Sequence, residues 1–241
     1  MTGERSNASD ETDSAPAEAS ERRALAERLL ERAEHAPEAI TREEMATVVS
    51  LLSAGDADGR VTAAEALQHL HDRPDLFAPF VEGLLAAVEP YPDDVDGIPA
   101  PIEWMGSARI RTLVYLSDSL ARVAQDRPDL FVAHADELSQ RLRSESNSPR
   151  SLLFVLGYAE ASDPGTVPRD WLKDELCDLL DRGHGNGYPS WAADTLGALG
   201  DADVLPALRG AHPGDDADDP IRDAFDDAIE RLEAAAPGET Q

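Results

Sequence analysis

Apolar residues recur along most of the chain at the spacing of amphipathic helices. The clearest case is the stretch 191–210, in which Ala192, Leu196 and Leu199 fall at i, i+4 and i+7 and so share one helix face. Gly200 follows this stripe, at the position where a residue without a Cβ most easily ends a helix. The alternation typical of β-strands is absent throughout the sequence. The pattern therefore predicts an all-α protein.

A second short apolar stripe, Val204, Leu205 and Leu208, follows directly. Asp201 stands before it as the predicted N-cap, and Pro206 lies early enough in the helix to disturb it little. Two helices this short cannot bury their apolar faces alone. They require similar units on either side, which predicts a stack of helix pairs.

The hexamer Asp-Arg-Pro-Asp-Leu-Phe occurs twice, at 72–77 and at 126–131. Matching apolar stripes accompany the two copies: Phe77, Val81, Leu84 and Val88, then Phe131, Ala135, Leu138 and Leu142. We interpret this as an internal duplication. Its hexamer is predicted to start a helix, because proline suits the first helical turn and aspartates suit the positive end of the helix dipole.

Start and stop signals divide the rest of the chain into similar units. Ser20 is a predicted N-cap, and Thr41 with Glu44 has the spacing of a capping box. The last helix, 219–234, has an acidic outer face that suits a terminal cap. The sequence therefore predicts a right-handed α-solenoid of about five antiparallel helix pairs plus a C-terminal capping helix, over residues 20–235.

Residues 192–208 resemble the HEAT-like repeat of the phycobilisome-lyase type, A-A-x-A-L-G-x-L-G-D-x-x-A-[LV]-P-x-L. These are packing and capping residues, so the resemblance implies a solenoid and carries over no catalytic residue. It also implies that the second helix of each pair lines a concave, ligand-facing surface. The outward basic residues expected on those helices are the candidate binding residues Arg141, Arg143, Lys173 and Arg209. Alternatively, each of them forms a salt bridge with a nearby acidic residue.

Two segments break the helical pattern. The longer, 89–103, is rich in proline and aspartate and is predicted to be either a functional loop or a plain connector. The shorter, 183–187, reads Gly-His-Gly-Asn-Gly and adds His184 and Asn186 as candidate binding residues. We expect a specific site at such breaks sooner than inside the regular repeat.

The charge of the chain is extreme, with 49 acidic residues against 21 basic ones and a net charge of −28. Lys173 is the only lysine. Abundant acid with almost no lysine indicates a salt-adapted (halophilic) proteome, in which a screening length of about 3 Å at ~1 M salt suppresses self-repulsion. A cationic partner is the alternative explanation. Residues 1–19 are predicted to form a disordered acidic tail and residues 236–241 a short C-terminal tail.

The sequence contains no recognisable catalytic motif. Cys177 is the single cysteine, the six histidines lack metal-ligand spacing, and neither a nucleophile elbow nor a phosphate-binding loop occurs. We therefore predict no catalytic residue, no metal and no cofactor. The expected function is a cytoplasmic, non-catalytic scaffold or adaptor that binds another protein or peptide. The alternative is an enzyme or enzyme accessory, either a lyase-like HEAT protein or a helical-repeat nucleic-acid enzyme.

Two classes of partner are disfavoured on composition. No run of apolar residues approaches the ~20 needed to span a bilayer, so we expect no membrane partner. Nucleic acid is disfavoured because the sequence lacks the basic groove that phosphate binding requires. Acidity alone does not exclude nucleic acid, since it would be shared by most proteins of a high-salt proteome.

Overall fold

The computed structural model describes residues 14–91, 106–180, 188–214 and 219–235. Helices make up all the regular structure within these ranges, as the apolar pattern predicts, and no strand occurs among them. The α-helices are α1 (Ser14–His35), α2 (Arg42–Ala54), α3 (Ala57–Gln68), α4 (Pro74–Phe77), α5 (Val81–Ala87), α6 (Ala108–Asp126), α7 (Ala135–Ser144), α8 (Leu152–Ser162), α9 (Arg169–Leu180), α10 (Tyr188–Leu199), α11 (Leu205–Ala211) and α12 (Asp219–Ala235).

The helices pack in the manner of helical repeats. Helices α1, α3, α6, α8, α10 and α12 lie side by side, each against the next, and form what we term the A layer. The remaining helices, termed the B layer, pack against them: α2 against α3, α7 against α8, α9 against α8 and α10, and α11 against α12. One continuous apolar core runs between the layers.

The predicted capping box at Thr41 and the predicted helix stop at Gly200 are confirmed. Thr41 accepts a hydrogen bond from the Glu44 amide at 3.2 Å, while the Glu44 carboxylate accepts one from the Thr41 amide at 3.0 Å. Asp56 caps α3 by accepting from the Gly59 amide at 2.7 Å, and this helix begins at Ala57. Gly200 has the left-handed φ of 79° expected after α10.

The prediction that Asp201 caps the following helix is wrong, since its side chain makes no capping hydrogen bond. Its carboxylate instead receives a hydrogen bond from Arg169 at 2.8 Å and lies 3.3 Å from the Lys173 ammonium. Two cations on α9 bind this carboxylate more strongly than a single amide of the next helix would. The side chain therefore links α9 to the α10–α11 connection.

The duplicated hexamer forms the same arginine–aspartate pair in both copies. The Arg73 guanidinium donates to both carboxylate oxygens of Asp75, each at 3.0 Å, and Arg127 does the same to Asp129, each at 2.8 Å. The proline starts a helical turn in each copy, and the final phenylalanine is buried. The prediction that the hexamer starts an α-helix is confirmed for the first copy, which begins α4, whereas the second copy begins a 3-10 turn that precedes α7.

Helix α1 begins earlier than the sequence suggests, at Ser14 rather than Ser20. Its first turns are rich in alanine and glutamate, which are strong helix formers even without burial. Arg22 then ties α1 to the C-terminal end of α2 by donating to the Ala54 carbonyl at 3.1 Å. Residues 1–13, residues 92–103 of the predicted loop and the tail 236–241 lie outside the described residues.

Among the described residues, no helix combines the length and the apolar character that crossing a lipid bilayer requires.

Candidate binding cleft

Helix α8 lies at the floor of a depression in the A layer. Its residues from Leu152 to Glu160 are all buried, so the helix is covered on every side. Its flanking helices α6 and α10 reach each other across it, because the Gln125 amide donates to Asp194 at 2.9 Å. The Tyr158 hydroxyl rises from α8 and donates to the same carboxylate oxygen at 2.6 Å.

Asp194 is the central side chain of this arrangement. Besides Gln125 of α6 and Tyr158 of α8, it receives a hydrogen bond from Arg231 of α12. Burial and the nearby Asp194 carboxylate raise the pKa of Tyr158 far above its ordinary value, so the phenol stays protonated and remains a donor. Asp194 on α10 therefore joins four helices of the A layer through fully matched donors and acceptors.

A cleft of about 410 Å³ opens between these four helices. Its charged and aromatic lining consists of Arg122 from α6, Tyr158 from α8, Trp191 and Asp194 from α10, and Asp223 and Asp227 from α12. The last two carboxylates are exposed, and within the described part of the chain neither forms an ion pair. The lining thus has three carboxylates against one guanidinium.

Trp191 is the largest apolar group of the cleft. Its ring lies 5.4 Å from the buried Phe154 ring, which fixes it on the core. The Arg122 guanidinium lies over the indole at 5.2 Å from the ring centroid, a geometry in which the negative π-face attracts the cation. The indole is therefore held by packing and already accepts a cation on its face.

A buried polar cluster lies beside the cleft, between α6 and the start of α8. The Ser151 hydroxyl donates to the Ser117 hydroxyl at 2.7 Å, and both residues are buried. Burial raises the pKa of the neighbouring Asp118 carboxyl to about 6, although a hydrogen bond with Ser151 and the charge of Arg122 oppose the shift. Asp118 therefore titrates close to neutral pH.

The two irregular segments are both bordered by residues near this carboxyl. Tyr91 lies near the start of the first segment, 89–103, and Tyr188 directly follows the second, 183–187. Burial is the main cause that raises the pKa of each phenol well above its ordinary value, and the charge of Asp118 contributes to both shifts. Tyr91 is held in place by Asn147, whose side-chain amide donates to the Tyr91 carbonyl at 2.6 Å. Tyr91 and Tyr188, the described tyrosines at these two segments, therefore both lie close to Asp118.

The predicted binding residues Arg141 and Arg143 lie on α7. The Arg141 guanidinium donates to the carbonyls of Leu85 and Val88 at the C-terminal end of α5, and to Glu145 at 3.2 Å. Arg143 lies over the Trp171 ring, 5.9 Å from its centroid. Both side chains thus make contacts that hold neighbouring B-layer segments together.

The other predicted residues are spread along the B layer. Lys173 of α9 donates to Asp203 at 2.8 Å, which raises the pKa of its ammonium, and Arg209 of α11 pairs with Glu233. These pairs fit the alternative in which the basic residues are salt-bridge partners; binding by them stays a prediction. His184 and Asn186 lie outside the described residues.

The sequence did not single out Arg122, Tyr158 or Asp194. Asp194 lies inside the most regular repeat and not at a break in the pattern, and nothing in the spacing shows that Gln125 or Arg231 would reach it. Asp118 and Arg122 stand at i and i+4 on α6, a spacing that places them on one face but is common in an acidic chain. The cleft arises from helices that are distant in sequence.

No metal or thiol chemistry is evident in the described residues. Across these ranges, no three histidine, cysteine or carboxylate side chains come together as a metal site. Burial and nearby aspartates raise the pKa of the Cys177 thiol, which favours the unreactive protonated form.

Comparison with known proteins concerns the fold. No protein-family model matches this chain, and no curated protein matches it. Among solved structures, the chain is similar to a crystal structure of an engineered protein from the Northeast Structural Genomics Consortium, with 17% identity over 93% of each chain and a TM-score of 0.60. Identity this low relates the folds alone. The comparison and the helix packing together identify an all-helical protein with helical-repeat-like architecture.

Proposed function

We propose that this protein is a non-catalytic interaction scaffold that binds another protein or peptide in the cleft above α8. The proposal includes a HEAT-like, right-handed solenoid of about five antiparallel helix pairs ended by α12 as a cap. The observation that carries it is the cleft itself. Four A-layer helices are joined through Asp194, and the surface between them presents Trp191 beside polar groups.

The character of the lining supports binding. Trp191 offers a large ring already held against Phe154, so little side-chain freedom is lost when a partner packs on it. Asp194 has its hydrogen bonds satisfied by three helices and keeps the cleft walls in place. The excess of carboxylates disfavours a nucleic-acid backbone, whose phosphates require cations.

One observation favours the alternative of an enzyme or enzyme accessory. The Asp118 carboxyl has a pKa of about 6 and interacts electrostatically with Arg122, which lines the cleft. A carboxyl that is partly protonated near neutral pH can give or take a proton, which is a common property of catalytic groups. A small molecule that copurifies with the chain in place of a protein would support this alternative.

The scaffold proposal is tested by blocking the cleft. Ala224 lines the cleft on α12, whereas Ala234 is exposed on the same helix and does not line it. Tagged wild type, Ala224→Trp and Ala234→Trp are used as bait in a lysate kept at ~2 M KCl, where surface charges are screened. Mass spectrometry then identifies bound proteins, and circular dichroism verifies folding.

We expect a stoichiometric protein with wild type and Ala234→Trp, and its loss with Ala224→Trp. Capture that is equal for all three baits would contradict the use of this cleft. Native mass spectra that show a bound small molecule and no protein would contradict the scaffold function as a whole.

A further inference from the structure

We infer that the partner presents an arginine side chain to the cleft, where its guanidinium is bound by the Trp191 ring and by Asp223 and Asp227. This inference rests on the proposed function and specifies the chemistry of its site. Two independent observations support it: a guanidinium already lies on the indole face, and two exposed carboxylates on the facing helix have no ion-pair partner among the described residues.

The Arg122 contact shows that the indole face accepts a guanidinium in this fold. Arg122 is exposed and reaches the ring from α6, and within the described ranges it forms no salt bridge that would hold it there. The charge of Arg122 stabilises the ionised form of Asp118. Arg122 can therefore leave the ring at small cost, and it acts as an internal stand-in for the incoming arginine.

The carboxylates of α12 supply the second half of the site. Asp223 and Asp227 stand at i and i+4 on the side of α12 that lines the cleft, so they share one helix face across from Trp191. Asp194, by contrast, is occupied by Tyr158, Gln125 and Arg231. The cleft therefore contains two kinds of carboxylate. Asp194 is fully hydrogen-bonded and holds the cleft walls together, whereas Asp223 and Asp227 are exposed to the solvent in the cleft.

The high salt that the composition predicts favours arginine over lysine as the bound side chain. A screening length of about 3 Å at ~1 M removes long-range attraction, so only interactions at contact distance remain effective. A guanidinium stacks on an aromatic ring and donates to a carboxylate in fixed planar geometry, whereas an ammonium is a strongly hydrated point charge. A cleft with an indole and two carboxylates suits the guanidinium.

The test uses the peptide Gly-Arg-Gly-Arg-Gly and its lysine counterpart as probes, titrated into the full chain at ~2 M KCl. Binding is followed by calorimetry and by the Trp191 indole N–H resonance. The double variant Asp223→Asn/Asp227→Asn removes the open carboxylates. Its matched control, Asp226→Asn/Glu230→Gln, removes the same charge from exposed positions of α12 that do not line the cleft.

We expect the arginine peptide to bind at least about threefold more tightly than the lysine peptide. The cleft double variant should weaken the arginine peptide about fivefold, and the control less than twofold. Trp191→Leu should weaken it about tenfold, while Arg122→Gln should strengthen it about threefold by removing the internal competitor. Equal effects of the two double variants, or weaker binding by Arg122→Gln, would overturn the inference.

The same data separate this inference from the proposed function. If the arginine peptide fails to bind but Ala224→Trp still abolishes capture of a protein partner, the arginine chemistry is wrong and the scaffold function stands. If the peptide binds with the expected pattern but no protein depends on the cleft, the scaffold function is wrong and the cation site stands.

Discussion

At the scale of single residues, the Asp118 carboxyl shows how burial changes the chemistry of an ordinary side chain. Its surroundings on α6 raise its pKa from 3.8 to about 6, because the charged form loses water that Ser151 and Arg122 replace only in part. The folded protein therefore holds a proton on Asp118 more tightly than the unfolded chain does. The folded state is therefore more stable when this carboxyl is protonated than when it is ionised.

The first prediction is that Asp118 makes stability fall as the pH rises. Its contribution is fully present below about pH 4 and is lost as the pH passes about 6, amounting to about 3 kcal/mol. Asp118→Asn has no such titration. Urea unfolding of both proteins is measured at ~2 M KCl from about pH 4 to about pH 7.5. The free energy of unfolding should decrease more steeply with pH for wild type than for Asp118→Asn.

The comparison with Asp118→Asn removes the effect of the many other carboxylates, since they titrate in both proteins. Parallel pH profiles for the two proteins would show that Asp118 is hydrated in the folded state, contrary to the prediction.

At the scale of elements, α8 depends on close contact with its neighbours. A Cβ placed on Gly157 would lie 2.0 Å from Cγ2 of the buried Thr195 on α10, so the two helices approach more closely than an alanine allows. Gly83 on α5 is different, because a Cβ there would meet Val49 at an ordinary 3.5 Å. A glycine-to-alanine substitution is therefore expected to lower stability in α8 and to raise it in α5.

The second prediction compares Gly157→Ala with Gly83→Ala. The first should lower the free energy of unfolding by about 1–3 kcal/mol through overpacking, which outweighs the gain in helix propensity. The second should raise it by up to about 1 kcal/mol, because alanine is the better helix former and nothing obstructs it. Denaturant unfolding at ~2 M KCl measures both. A neutral or stabilising Gly157→Ala would mean that α8 and α10 separate without cost.

At the scale of the whole molecule, charge dominates the balance of stability. The net charge of −28 is spread over a structure whose arginines and single lysine already form many of the available ion pairs. The unpaired excess of carboxylates repels itself, and salt reduces this repulsion by shortening the screening length. The described fold is therefore expected to depend on ionic strength.

The third prediction is that the melting temperature and the helical circular dichroism both increase between ~0.1 M and ~3 M KCl, as screening rises. A matched series with a neutral excluded solute such as sucrose separates charge screening from a general strengthening of apolar burial. Equal melting temperatures at both salt concentrations would refute the interpretation of the acidity as salt adaptation.

Local structure was predictable because its causes lie within a few residues. The capping box of Thr41 and Glu44, the left-handed Gly200 and the proline starts of the two hexamers all depend on neighbours in sequence. Asp201 shows where local prediction fails. The sequence predicts that it caps the next helix, but its carboxylate accepts a hydrogen bond from Arg169, which lies in another helix pair. The buried Glu160 likewise had no sequence signal, although it receives hydrogen bonds from the amides of Gly165 and Val167.

The sequence by itself determined that the chain is helical, where most helices begin and end, and which faces are apolar. These properties follow from the 3.6-residue period and from capping by nearby side chains. Only the tertiary structure decided that α8 is covered on all sides, that Asp194 joins four helices, and that Trp191, Arg122 and two α12 carboxylates share one cleft. Such groupings depend on how helices far apart in sequence approach one another, and the periodicity of a single helix carries no information about its distant neighbours.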